Sequence, residues 1–348
     1  MKRSADYFRG CLLGGAVGDA LGWPVEFMSY KEILERYGVG GLRDLSLSPR
    51  GVAEITDDTQ MTLFTAEGIL RAQNRFLSKG ICHIPSVVYY AYLRWLYTQG
   101  YSEGMDPSIL EKSWLLFANE LFNQRAPGGT CISALLSGKQ GSLKEPINNS
   151  KGSGAVMRVA PIGLMFRKNE AFDVAVQCAA LTHGHPSGYL SSGCLAYLIA
   201  SIIEGEDLES AVKGTLSKLE EYENHMECKE KIIMAMELSK MGFTNYRSIT
   251  QIGEGWVGEE ALGIGIYCAL KYEKSFKKAL IASVNHDGDS DSTGAITGNI
   301  LGAYKGVSDI PGAWIGKIEL RDVLILIADD LLKEYDAETM NWERYPGY

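Results

Sequence analysis

Three aspartates, Asp287, Asp289 and Asp291, stand at alternate positions in 285-NHDGDSDSTGAITGNILGAYKG-306, directly ahead of a glycine-punctuated apolar run. Carboxylates that close repel one another, and three exceed what the capping of one helix can use. A second acidic group lies far upstream in 55-ITDDTQMTLF-64, where Asp57 and Asp58 mark a helix start with Thr56 and Thr59 beside them. Alone, such a pair reads as a cap with a solvated charge. Two such groups, each flanked by hydroxyls and neither accompanied by clustered His or Cys, point to hard divalent cations: Mg²⁺, Mn²⁺ or Ca²⁺. Five or six oxygen ligands of this kind suffice for two cations ~4 Å apart, the arrangement of hydrolytic two-metal sites.

Other chemistries fit less well. An EF-hand loop shares the opening alternation of 287-DGDSD-291, but it then needs Gly where Ser292 stands and Glu where Gly298 stands. The helical isoprenoid diphosphate synthases carry DDxxD, and here Met61 occupies the fifth position. His183 and His185 form an HxH with no Cys or Glu partner for zinc. In 150-SKGSGAVMRVAP-161, Gly152, Ser153 and Gly154 can turn consecutive backbone N–H groups onto an anion ahead of a helix. With Met at 157 this is neither a Walker A loop nor a complete GxGxxG.

Residues 57 and 289 can meet only if the chain between them folds back, and its periodicity indicates how. Apolar residues recur near period 3.6 in 59–77, 108–124, 187–205, 207–225 and 319–335, so helices are expected there. Alternating strand patterns are nearly absent, with short pieces around 41–56 the only candidates, and no βαβ rhythm or fixed repeat appears. The long loops are 38–56 and 138–154. An all-α fold in a single domain, 1–348, is the expectation. Glycines at 10, 14, 18 and 22, and again at 294, 298, 302 and 306, would align as bare stripes on two helices. Each interior Gly costs roughly 0.5–1 kcal/mol relative to Ala, so these helices are expected to pack closely at the centre.

Composition is that of a globular chain: 46% hydrophobic, 22% charged, 39 glycines in 348 residues and a net charge of −9. No Lys/Arg-rich run is present, which argues against a nucleic-acid partner. The seven cysteines are scattered and never spaced CxxC, as expected of free thiols in a reducing, cytoplasmic setting. The basic, glycine-rich N-terminus is broken by Asp19 and does not read as a signal peptide. No run of ~18 apolar residues suggests a membrane span, and no membrane partner is expected.

Six stretches carry a family resemblance: 11-CLLGGAVGDALGWPVEF-27, 56-TDDTQMTL-63, 125-RAPGGTCISAL-135, 152-GSGAVMRVAPIGL-164, 182-THGHPSGY-189 and 288-GDSDSTGAITGNILGA-303. In this order, across about 290 residues, the chain resembles the ADP-ribosylglycohydrolase family, which includes dinitrogenase reductase-activating and ADP-ribosylarginine hydrolases. The resemblance implies an all-α bundle with two Mg²⁺ (Mn²⁺ the alternative) at the bottom of a cleft. Carried over by position, the metal ligands would be Thr56, Asp57, Asp58, Asp289, Asp291 and Ser292, the last replacing the Thr of some relatives. Asp287 has no ligand role in that pattern. Glu26 matches a mobile glutamate at the metal site, and the catalytic candidates are Glu26, Asp58 and Asp289. Gly152, Ser153 and Gly154 would hold the ADP-ribose diphosphate, and His183 would line the ribose and phosphate region. Gly128 and Gly129 would shape a neighbouring loop, and Trp256 and Glu259 would border the cleft. The implied activity is a glycosidase-type hydrolysis releasing ADP-ribose from a modified side chain, with an arginine linkage favoured over serine or nucleobase linkages. The implied partner is an ADP-ribosylated protein or other ADP-ribose conjugate. The alternative reading is an immunity-type protein that binds and neutralises an ADP-ribosylating toxin. A purely structural relative would not need every ligand position filled.

Overall fold

The computed structural model describes residues 1–333 and 341–347, and sixteen α-helices form among them. The first half holds α1 (Ala5–Gly22), α2 (Tyr30–Tyr37), α3 (Asp57–Lys79), α4 (Ile84–Thr98), α5 (Gly129–Leu136), α6 (Ala160–Met165) and α7 (Lys168–Ala180). The second half holds α8 (Pro186–Glu204), α9 (Leu208–Leu219), α10 (Met226–Ser239), α11 (Asn245–Ile252) and α12 (Gly258–Lys271). It ends with α13 (Phe276–Ser283), α14 (Ser290–Lys305), α15 (Gly312–Ile315) and α16 (Arg321–Leu332). No strand forms among the described residues; the expected pieces around 41–56 reduce to one isolated bridge, Ala53 to Ile318.

The two glycine stripes meet. Helices α1 and α14 run antiparallel in direct backbone contact, Gly10 against Gly302, Gly14 against Gly298 and Gly18 against Gly294. A methyl group added at Gly298 would lie 2.0 Å from the Gly14 carbonyl oxygen, and one at Gly302 would lie 1.9 Å from that of Gly10. Only hydrogen fits at these positions. The contact fixes the start of α14 beside the end of α1, where the chemistry gathers. Around this pair the core is continuous, with Trp95, Tyr92, Phe64, Phe172 and Phe276 fully buried and α8 packed on α6, α7, α12 and α14.

Some sequence expectations need correction. Residues 108–124 form no α-helix but three short 3₁₀ turns, at Pro107–Ile109, Trp114–Phe117 and Asn119–Phe122. Their carbonyls have other partners: Arg94 donates to Ile109 O, Arg71 to Lys112 O, and Ser113 Oγ reaches buried Glu67. The expected helix 207–225 ends at Leu219, and 319–335 begins at Arg321, with 334 and 335 outside the described residues. Helix α8, with a mean hydropathy of 1.3, is long and apolar enough to cross a membrane, contrary to the expectation of no such segment; 89% of that stretch is buried inside the protein.

Candidate active site

Helix α3 opens on Thr56, whose hydroxyl caps the Asp58 N–H. Asp57 and Asp58 occupy the first turn, where the helix dipole favours negative charge. Asp57 Oδ2 accepts from the Gly128 N–H at 2.9 Å, which ties the 128–129 loop to the site. Beneath the turn lies Asp19 of α1, fully buried, accepting from the N–H and hydroxyl of both Thr56 and Thr59. The approach to Thr56 is clamped as well: Arg125 and Glu319 form a buried two-point ion pair at 2.6 and 3.1 Å, and Arg125 also donates to Ile55 O.

Helix α14 opens on Asp289, whose Oδ1 caps the Ser292 N–H and whose Oδ2 accepts from Ser153 Oγ at 2.6 Å. Gly288, at φ +109°, turns the chain so that the Asp289 N–H reaches Glu254 O. Asp291 is in the first turn, its Oδ1 on the Ser292 N–H, and Ser292 Oγ lies 3.8 Å from Met157 Sδ. Asp287 points away: it accepts from the Tyr30 N–H at 2.7 Å and the Tyr246 hydroxyl at 2.9 Å, which agrees with its having no ligand role.

Glu26 follows a 3₁₀ turn, Trp23–Val25, at the end of α1 and points among these groups. Burial, then the charges of Asp289, Asp57 and Asp19, push its carboxyl up to about 9. Burial raises Asp57 to about 7 and, against four hydrogen bonds, Asp19 to about 6. Burial and neighbouring carboxylates hold Asp58 and Asp291 well above the ordinary range. These side chains therefore act on one another across the α3–α14 junction, and among the described residues no ion pair from Lys or Arg to any of them is found.

The loop at 150–158 passes over the site. The glycine-flanked segment is a 3₁₀ turn, Ser153–Arg158, and the expected row of three free N–H groups is not found. The Ser153 N–H donates to Trp256 O, and the Gly152 N–H to Ser150 Oγ. Among the described residues the Gly154 N–H has no partner outside its own turn, and Ser153 contributes its hydroxyl. His183 is buried with Nε2 towards Gly152 and Gly154, whereas His185 caps the Ser187 N–H of α8. Lys151 bridges Glu227 and the buried Glu259, which anchors the loop to the starts of α10 and α12. Trp256 stacks on Phe27 at 5.8 Å, both exposed at the rim beside Glu26.

Cations fit this donor set. Asp58 Oδ1 and Glu26 Oε2 are buried without a hydrogen-bond partner among the described residues, although both lie among like charges. Such atoms are stabilised by a positive ion or by protonation. Among the described residues no three His, Cys, Asp or Glu side chains close on one point as they stand. The set is four aspartates, one glutamate and two hydroxyls, the hard-oxygen chemistry of Mg²⁺ or Mn²⁺. Cavities of about 580 and 710 Å³ open elsewhere and take none of these side chains. Sequence reasoning missed Asp19 and Arg125. A lone carboxylate inside a glycine-rich apolar helix was the available signal for the first; nothing local marks the second.

Comparison with known proteins bears on the family and the fold. Residues 2–339 match the model of the ADP-ribosylglycohydrolase family. The chain is 27% identical to the ADP-ribosyl-(dinitrogen reductase) glycohydrolase of Rhodospirillum rubrum, over 90% of each chain. It is 25% identical to the ADP-ribosylarginine hydrolase Tri1 of Serratia proteamaculans, covering 95% of this chain and 80% of that one. A solved structure described as an ADP-ribosylglycohydrolase-related protein complex superposes with a TM-score of 0.65 at 25% identity, covering 96% of this chain and 99% of that one.

Proposed function

The chain belongs to the ADP-ribosylglycohydrolase family, and from that premise we propose that it is a divalent-cation-dependent hydrolase releasing ADP-ribose from a modified side chain. The observation that supports the cation dependence is the pair of buried oxygens, Asp58 Oδ1 and Glu26 Oε2, that have no hydrogen-bond partner among the described residues and lie beside other carboxylates. Thr56, Asp57, Asp58, Asp289, Asp291 and Ser292 would hold two Mg²⁺ or Mn²⁺. When bound, these ions would neutralise the carboxylates and polarise the anomeric region of the ribose as Lewis acids.

The chain's own residues do the rest. Ser153, Gly154 and His183 orient the diphosphate beside Asp289, and the exposed Phe27 and Trp256 border the mouth. Glu26, the one carboxylate in the group carried on a short connecting segment rather than a helix start, would take the proton of the attacking water once bound cations offset the neighbouring charges that keep it protonated, with Asp58 and Asp289 the next candidates. The surrounding negative charge favours an oxocarbenium-like transition state at C1″. An arginine linkage is favoured because a relative across most of this chain is an ADP-ribosylarginine hydrolase. Release of ADP-ribose from arginine-, serine- and thymidine-modified substrates, with and without EDTA, tests the reading. Activity on the arginine conjugate that EDTA abolishes supports it, and activity unaffected by EDTA refutes the cation dependence.

A further inference from the structure

Arg158 is a fully buried cation with no carboxylate. Its guanidinium lies 4.1 Å over the Tyr92 ring, makes no ion pair among the described residues, and leaves Nε without a partner. A charge so placed is costly; Nη1 touches Met61 Sδ of α3 at 3.6 Å, and the other two hydrogen bonds run towards the proposed diphosphate loop. Nη2 donates to Thr182 Oγ1 at 2.7 Å, and Nη1 reaches Cys131 Sγ at 3.3 Å. The Cys131 thiol in turn donates to Gly154 O, and burial raises it to about 11, so it keeps its proton.

The first branch decides a proton. Thr182 Oγ1 lies 2.9 Å from His183 Nδ1. A hydroxyl has one proton to give and two lone pairs; Oγ1 accepts from Arg158, and among the described residues His183 Nδ1 is the acceptor available to its proton. The opposite tautomer would leave that buried hydroxyl proton without an acceptor. Burial and the Arg158 charge also lower the imidazole to about 3, so it stays neutral. The ring proton then sits on Nε2. That atom has no protein partner among the described residues and lies within 3.5 Å of where side chains at Gly152 and Gly154 would begin.

We propose that Arg158 is a positioning residue that, through Thr182, fixes His183 as its Nε2–H tautomer, so that it presents one neutral donor to an anionic phosphate oxygen held at residues 152–154. This deepens the proposed function and rests on it for the identity of the anion. The glycines then serve to leave room for that oxygen under the imidazole. The arrangement also explains a cation held close behind an anion site without meeting the acidic group.

The test is a long-range ¹H–¹⁵N imidazole spectrum of the full chain with ¹⁵N-histidine. The chain has five histidines, and His183 is assigned by its loss in His183→Gln. The expected result is an unprotonated Nδ1 and a protonated Nε2, with the Nε2 resonance shifting when ADP-ribose is added with Mg²⁺. Thr182→Val should mix the tautomers and weaken ADP-ribose binding about tenfold, and Thr182→Ser should restore both. An Nδ1–H tautomer or an imidazolium in the wild-type spectrum overturns the proposal. So does an Nε2 resonance indifferent to ADP-ribose, or a folded Thr182→Val protein with tautomer and affinity unchanged. If Thr182→Val does not fold, the wild-type spectrum and titration decide alone. The predicted tautomer and ADP-ribose shift in a protein that hydrolyses no conjugate would refute the function and leave the positioning relay standing.

Discussion

At the scale of single residues, the site is a concentration of like charge that the fold buries. Asp58 Oδ1 and Glu26 Oε2 have no hydrogen-bond partner among the described residues, and the neighbouring carboxylates raise one another. Asp291→Ala should abolish divalent-cation binding and turnover together, measured by calorimetric titration and ADP-ribose release; full activity would refute the ligand assignment. Glu26→Gln should lower kcat by roughly 10²–10⁴ if Glu26 moves the proton, with cation affinity changed far less. A pH effect also follows. A carboxyl whose pKa is higher in the folded than in the unfolded state stabilises the fold while protonated, and that contribution is lost as pH rises through the folded value. Asp19 at about 6, Asp57 at about 7 and Glu26 at about 9 place this loss between weakly acid and alkaline pH. In EDTA the melting temperature should fall across that window, and Mg²⁺ should restore much of it. A melting temperature that climbs over the same window in EDTA would contradict the charge balance. Setting Asp287 apart from the ligands rested on the family resemblance alone, whereas the aspartate spacing at 57–58 and 287–291 was readable in the sequence. Asp19 was not, because its role appears only when Thr56 and Thr59 are brought onto it.

At the scale of elements, the positions of the two acidic starts depend on contacts that tolerate no extra atoms. Gly298→Ala would push a methyl against the Gly14 carbonyl, whereas at Gly312 an added methyl meets nothing within 4 Å. Overpacking of this kind costs ~1–3 kcal/mol or more. Gly298→Ala should therefore lower the unfolding midpoint in urea markedly, while Gly312→Ala leaves it nearly unchanged. Equal effects would mean that the α1–α14 contact is looser than described. The glycine spacing predicted two closely packed central helices; that they pack against each other appears only in the fold. The 108–124 segment misled: its apolar period is helical, but buried Arg71 and Arg94 bind the carbonyls that a helix would use. Long-range partners such as these leave no trace in local periodicity.

At the scale of the molecule, the candidate site residues come from the beginning, middle and end of the chain and share one hydrophobic core. Arg125 and Glu319 join distant segments directly ahead of Thr56, and Arg9 and Asp329 join α1 to α16. Breaking a buried pair by removing one partner costs about 3–5 kcal/mol. Arg125→Ala should therefore destabilise the entire chain, with a single calorimetric transition in wild type and variant alike; two separate transitions would contradict a single domain. The most direct measurement is equilibrium titration of the cation-stripped wild-type protein with Mg²⁺ or Mn²⁺, in parallel with Asp58→Ala. The account predicts about two ions bound per wild-type chain, at least one lost in the variant, and ADP-ribose release that rises with occupancy. A wild-type protein that binds no ion, yet hydrolyses its substrate, would contradict it.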